Sequence, residues 1–136
     1  MNSRLYLPPG IVSEKLIEYY AERAKGGVGL VTVEFSYIDE RESRATRAQL
    51  GVYSDQLIPG LGELAEAIQE WGAKAILQIS HAGRCSSVKI TGRQPIAPSP
   101  VPSPTGEMAR AMTFEEIELT MESYAEAAHR ENFVIV

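Results

Sequence analysis

An amide, an imidazole and a guanidinium, those of Gln78, His81 and Arg84, follow one another in the run GAKAILQISHAGR at 72–84. Groups of these types can hold a polar ligand if a rigid element carries them. Gly72 suits the left-handed residue that closes a preceding helix, because it has no Cβ to clash there. Ala75, Ile76, Leu77 and Ile79 then give the near-continuous apolar run of a parallel strand buried on both faces. Side chains alternate along a strand, so Gln78 shares a face with Ile76 and Ser80, and a buried amide there needs hydrogen-bond partners. A planar heterocycle with alternating acceptors and donors suits it. His81 lies just past the strand end, where barrel enzymes place their chemistry, although a histidine at that point can equally organise a loop. Arg84 can hold a carboxylate or fix the following loop by hydrogen bonds, and the second is the favoured reading.

The elements that must position these groups are legible on either side. Apolar residues at Leu16, Ile17, Tyr20, Ala21 and Ala24 predict a helix over 13–25 with Ser13 as N-cap, stopped by Gly26 and Gly27. A Val-rich strand follows over 28–35, and polar groups return at its end in Glu34-Phe35-Ser36-Tyr37. The loop over 38–55 carries Arg41, Arg44 and Arg47, which meet either an anionic ligand or solvent. Pro59 opens a second helix over 59–71 that buries Leu61, Leu64, Ala65, Ile68 and Trp71. After the Gln78 strand, 80–112 shows no period and contains five prolines, which predicts an extended surface loop. Thr113-Phe114-Glu115-Glu116 reads as a capping box for a third helix with Ile117, Met121, Tyr124, Ala125 and Ala128 inward. Residues 133–136 have the character of a further strand. Alternating strands and helices predict an α/β fold with parallel pairing and right-handed crossovers.

Composition narrows the function. With 136 residues the chain is one domain in size, whereas a complete eight-fold β/α barrel takes about 250. Thirteen basic against 18 acidic residues give a net charge of −5, which argues against nucleic acid or an anionic membrane as partner and for a small molecule. Cys85 is the one cysteine, so there is no intramolecular disulfide and no thiolate metal cluster. His129 sits on a helix with no ligand partner at metal-site spacing, so no metal is expected. No apolar run approaches a membrane span and the first residues lack a signal-peptide pattern, leaving the cytoplasm as the default location.

The runs VSEKLIEYY at 12–20, ERAKGGVGL at 22–30, LIPGL at 57–61, QISHAGR at 78–84 and IAPS at 96–99, in that order and spacing, resemble the old yellow enzyme or NADH:flavin oxidoreductase family. The resemblance is closest to the branch containing bacterial 2,4-dienoyl-CoA and 2-enoate reductases, and it extends to about Arg130. It implies that the whole chain, 1–136, is the N-terminal part of an FMN-binding (β/α)8 TIM barrel. By the same resemblance Gln78 contacts the pyrimidine edge of FMN, and Glu34 and Phe35 stand at the strand end whose backbone approaches it. His81 and Arg84 lie on the substrate side, where Arg84 can also meet a flavin carbonyl. The family commonly has a small residue at the Phe35 position, so the ring there is a departure, as is the sequence His129-Arg130-Glu131-Asn132 before the fourth strand.

The implied reaction is an ene-reduction. NAD(P)H gives a hydride to FMN, whose N5 passes it to the β-carbon of an activated alkene such as an enoate, enone or enoyl-CoA, while a protein group protonates the α-carbon. In the family the groups aimed at the developing enolate oxygen are a histidine pair, or a histidine and an asparagine, just after the fourth strand. Residues 133–136 only begin that strand, so this chain is assigned no catalytic residue and is expected to be inactive alone. It is expected to need the rest of a barrel or self-association, because an open half-barrel exposes strand edges and apolar faces. The alternative is a non-catalytic α/β fragment that serves as an interaction module or survives as a gene remnant.

Overall fold

The computed structural model describes residues 3, 5 and 9–132. Helix α1 spans Glu14–Lys25, and the Ser13 hydroxyl caps it by accepting from the Leu16 N–H at 3.2 Å. Leu16, Tyr20 and Ala24, at helical spacing, form its buried stripe. Strand β1 covers Leu30–Tyr37, helix α2 Ile58–Gln69 with Pro59 in its first turn, and strand β2 Lys74–Ser80. β1 and β2 pair in parallel, with Leu30 opposite Lys74 and Val33 opposite Leu77, so β1, α2 and β2 make one βαβ unit.

Helices α1 and α2 cover the same face of this sheet. Leu16, Leu61, Leu64 and Ile68 meet Val31, Val33, Ala75 and Leu77 there, and each large apolar side chain so buried contributes about 1.5–3 kcal/mol. The opposite face is open. Leu30 is 52% exposed and Ile76 40%, and Thr32, Lys74 and Gln78 are exposed beside them. The expectation of a strand buried on both faces is therefore corrected. β2 alternates between covered and open positions, because α1 and α2 lie on one side and the described residues place nothing on the other.

The segment after β2 is more ordered than a long loop. It holds a 3-10 turn at Gly83–Cys85, a one-turn helix α3 at Val88–Thr91, and two short strands, β3 at Ile96–Ala97 and β4 at Arg110–Ala111, which pair in parallel. Elements of two to four residues are too short to show a period. Their order comes from burial of Ile96, Ala97 and Ala109.

Helix α4, Phe114–Asn132, opens on the expected capping box. The Thr113 N–H donates to Glu116 Oε2 at 2.8 Å, and the Glu116 N–H donates to Thr113 Oγ1 at 3.2 Å. Its expected inward face is not inward. Ile117, Met121, Tyr124, Ala125 and Ala128 are all exposed, as is Phe114 at 88%. α4 meets the rest of the chain through Tyr124, the one residue of that face to touch β2, together with Ala127 and Glu131, of which Ala127 is fully buried. The strand expected at 133–136 lies outside the described residues.

Candidate functional site

The register between β1 and β2 shifts between Val33 and Ser36, so Glu34 and Phe35 occupy a bulge at the C-terminal end of β1. Glu34 is 4% exposed. Its carboxylate accepts from the Ser3 N–H at 2.9 and 2.8 Å and from the Tyr20 hydroxyl at 3.4 Å, and its own N–H donates to the Tyr20 oxygen at 2.8 Å. Burial, with Glu34 nearby, pushes the Tyr20 phenol well above its ordinary pKa, so it stays protonated and can donate. The Glu34 carboxylate is thus fully engaged in holding the chain start to β1. What the bulge leaves toward the strand end is backbone and the half-buried Phe35 ring.

At the end of β2, Gln78 is displayed on the open face, its side-chain amide with no hydrogen bond to any described residue. It offers one acceptor and two donors. The other sequence-predicted groups nearby are engaged. The Gly83 N–H donates to His81 Nδ1 at 2.9 Å, so the neutral ring carries its proton on Nε2, which faces Asp39 Oδ2 at 3.6 Å. Burial lowers the His81 pKa and the Asp39 charge opposes it, with burial the larger effect, so the ring is neutral near pH 7. Asp39 is itself fixed. Its Oδ1 accepts from the N–H groups of Arg41 and Glu42 at 2.7 and 2.9 Å, and the Ala82 N–H ties β2's end to the same loop through Ser43 O at 2.9 Å.

Arg84 is exposed and makes no hydrogen bond or ion pair to the described residues, so it does not fix the loop as expected. The loop is fastened instead by two arginines read as either ligand-binding or solvated. Arg44 donates to Ile90 O at 2.9 Å and Arg47 to Lys89 O at 3.2 Å, both among the last carbonyls of α3. A further charged group was not singled out in the sequence. Arg110 makes a bidentate pair with Glu116 at 2.8 and 2.5 Å, and Glu42 lies 3.8 Å from Arg93 and 4.0 Å from Arg110. The Arg110 contact holds the Glu116 carboxyl at about 2, whereas burial and the Glu116 charge push Glu42 up. A glutamate and an arginine six residues apart across a helix start give no period that would mark them as partners.

Glu42, Arg93 and Glu116 line a cleft of about 90 Å³ with Asp39, Arg41 and Thr120, too small for a cofactor, since ligand pockets run to about 300–1,000 Å³. A larger cleft of about 380 Å³, lined by Asp55, Ala125, Glu126, His129 and Arg130, lies along α4 away from Gln78, and the open face beside Gln78 is exposed surface. A flavin fits it in part: a free amide suits a pyrimidine edge, the bulge offers backbone, and the Glu34 carboxylate is unavailable. Among the described residues no group of histidine, cysteine and carboxylate side chains could hold a metal ion, and no helix is long and apolar enough to cross a membrane. Cys85 is exposed.

Comparison with known proteins is consistent with this arrangement. The chain is 41% identical over 141 residues to an NADH oxidase of Thermoanaerobacter brockii, covering 96% of this chain and 22% of that protein. It is 40% identical over 124 residues to the NADH:fumarate oxidoreductase of Klebsiella pneumoniae, covering 89% of this chain and 13% of that one. The chain thus spans about a fifth or less of the length of these relatives. Among solved structures it superposes on 2-naphthoyl-CoA reductase with a TM-score of 0.89 at 31% identity, over 97% of this chain and 22% of that one. On the old yellow enzyme homologue of Zymomonas mobilis the TM-score is 0.87 at 25% identity, over 98% of this chain and 40% of that one. The βαβ unit with its flanking helices is therefore a part of a (β/α)8 TIM barrel. With residues 3–133 matching the family's model as well, the chain belongs to the NADH:flavin oxidoreductase / NADH oxidase family.

Proposed function

We propose that this chain, as one domain-sized unit over 1–136, forms one flank of an FMN site in a cytoplasmic ene-reductase, which takes reducing equivalents from NAD(P)H and reduces an activated C=C. The observation that carries the reading is the free Gln78 amide at the C-terminal end of a barrel strand, where barrel enzymes place their chemistry. Gln78 would meet the heterocycle edge. The backbone of Glu34 and Phe35 would border it. When bound, the flavin supplies the hydride chemistry, and the protein supplies placement and a fixed electrostatic surround. His81, held neutral between Gly83 and Asp39, presents an uncharged ring on the substrate side, and Arg84 is a free cation for a carboxylate or thioester carbonyl. Relatives named NADH:fumarate and NADH:acrylate oxidoreductase support a small unsaturated acid or its thioester as substrate class.

No residue of the chain is assigned the protonation step, so turnover by these 136 residues alone is expected to be nil. A second reading, a non-catalytic interaction module, is favoured by the exposed apolar groups Leu30, Ile76, Phe114 and Met121. Titration with FMN, followed by quenching of flavin fluorescence, separates the two. Saturable binding that weakens about five- to tenfold in Gln78→Ala, the loss of one to two amide hydrogen bonds, supports the flavin reading. A folded chain that binds no FMN, or binds it equally after the substitution, sinks it.

A further inference from the structure

The residue pattern of β1 and its register disagree. In LVTVEFSY, Val31, Val33, Phe35 and Tyr37 alternate with Thr32, Glu34 and Ser36, the pattern of a regular strand with its apolar residues on the covered face. Regular pairing onward from Val33 opposite Leu77 would set Glu34 opposite Gln78 and Phe35 opposite Ile79. The structure sets Ser36 opposite Ile79, so Glu34 and Phe35 share the space against Gln78. Ile79 packs on the core, which puts Ser36 on the covered side and leaves Phe35 to the open side with Gln78. Glu34 is the inserted residue, turned away from the face on which alternation from Val33 would display it.

What holds it there is α1. The Glu34 N–H donates to the Tyr20 hydroxyl at 2.8 Å, and that hydroxyl faces Glu34 Oε2 at 3.4 Å. Tyr20 is buried and belongs to the covered core. The Ser3 N–H shares the carboxylate at 2.9 and 2.8 Å. Register, however, is a property of the backbone, and it is Tyr20 that takes the Glu34 N–H. A residue inserted into one strand drops out of the ladder, so a buried N–H there needs a partner from outside the sheet.

We propose that Tyr20 is a positioning residue: its hydroxyl holds β1 in the bulged register and so keeps the Glu34 carboxylate off the open face, and without it the strand takes regular pairing with Glu34 beside Gln78. The apolar pattern favours that second register, because Phe35, half-buried as it stands, would pass to the covered side. A carboxylate beside Gln78 would accept from its amide and, as an acceptor only, would oppose the carbonyl oxygens of a heterocycle edge. The bulge thus leaves the Gln78 amide available and its surroundings uncharged. The ligand side of this inference rests on the flavin reading, and the register does not.

Cross-strand backbone NOEs and FMN titration, on the intact chain, Tyr20→Phe and Tyr20→Phe/Glu34→Gln, test it. In the intact chain the NOEs should place Ser36 opposite Ile79, with the Glu34 amide protected from exchange. In Tyr20→Phe they should place Phe35 opposite Ile79, and FMN should bind about tenfold more weakly. Adding Glu34→Gln should keep the new register and recover most of the affinity, which a general loss of packing would not allow. A folded Tyr20→Phe that keeps Ser36 opposite Ile79 overturns the proposal, as does a Glu34 amide that exchanges freely in the intact chain. A changed register with FMN binding unaltered, or not recovered by Glu34→Gln, overturns the exclusion of the carboxylate from the ligand face. An intact chain that binds no FMN sinks the flavin reading, and the NOEs then still decide the register. If Tyr20→Phe does not fold, exchange of the Glu34 amide in the intact chain decides.

Discussion

The helix-covered face of the β1–β2 sheet and its open face come from the same two strands, yet almost every group differs in how it is partnered. On the covered side Val31, Val33, Ala75 and Leu77 are sealed by α1 and α2. On the open side Leu30, Ile76 and Gln78 face outward, with the Gln78 side-chain amide free of hydrogen bonds to the described residues. Burial on the first side accounts for the stability of the unit, and display on the second leaves polar and apolar groups for a ligand or partner. A substitution should therefore affect folding on one side and binding on the other.

The largest expected effect comes from the covered side. Leu61→Ala, or Leu64→Ala, removes a buried side chain from the core and should cost about 2–5 kcal/mol. Ile76→Ala on the open face should stay within about 0.5 kcal/mol, as surface substitutions do. Urea denaturation of the two variants side by side measures both, and equal losses would break the comparison. Tyr20→Phe comes next. It leaves the buried Glu34 N–H without its 2.8 Å acceptor and the Glu34 carboxylate with the Ser3 N–H but without the phenol donor, at a cost of about 1–3 kcal/mol. A loss near zero in the same titration would mean that water replaces the phenol at the bulge. Smaller again is Thr113→Ala, which removes one half of the capping box of α4 and should cost about 1 kcal/mol. Because Glu131 of α4 accepts from the Leu77 N–H, the variant should also raise exchange at Leu77 more than at core amides such as Val33.

Much of the covered side was legible in the sequence, because helical spacing marks Leu16, Tyr20, Leu61, Leu64 and Ile68 without any knowledge of partners. Ser13, Pro59 and Thr113 marked helix starts for equally local reasons. The open side was not legible. An apolar run such as Ala75 to Ile79 looks the same whether one face or two are covered, and what covers the second face is not a property of the strand. The same holds for α4, where of the apolar stripe read as inward only Tyr124 meets β2, through its hydroxyl, and the Glu131 carboxylate and the buried Ala127 beside it carry no apolar signal that would mark them. Gln78, His81 and Arg84 were found by residue type at a strand end. Asp39, 42 positions before His81, carries no local signal of its role, and the pair forms because the loop after β1 folds back over the end of β2.

That pair gives the smallest effect and the finest test of the site. His81 has its pKa lowered from the ordinary 6.5, chiefly by burial, with Asp39 opposing. The unfolded chain therefore binds the proton more readily than the folded one, and stability rises with pH across this window. Acidification through and below the ordinary histidine value should destabilise the intact chain, because the protonated ring must place an N–H against the Gly83 N–H that now donates to Nδ1. In His81→Gln that dependence disappears, while that of Glu42, pushed up by burial and the Glu116 charge, is retained. Stability compared between about pH 7.5 and about pH 5.5 should then fall more in the intact chain than in the variant. Equal falls would mean that burial and Asp39 cancel at His81, and a smaller fall in the intact chain that Asp39 outweighs burial and makes His81 a cation in the folded state.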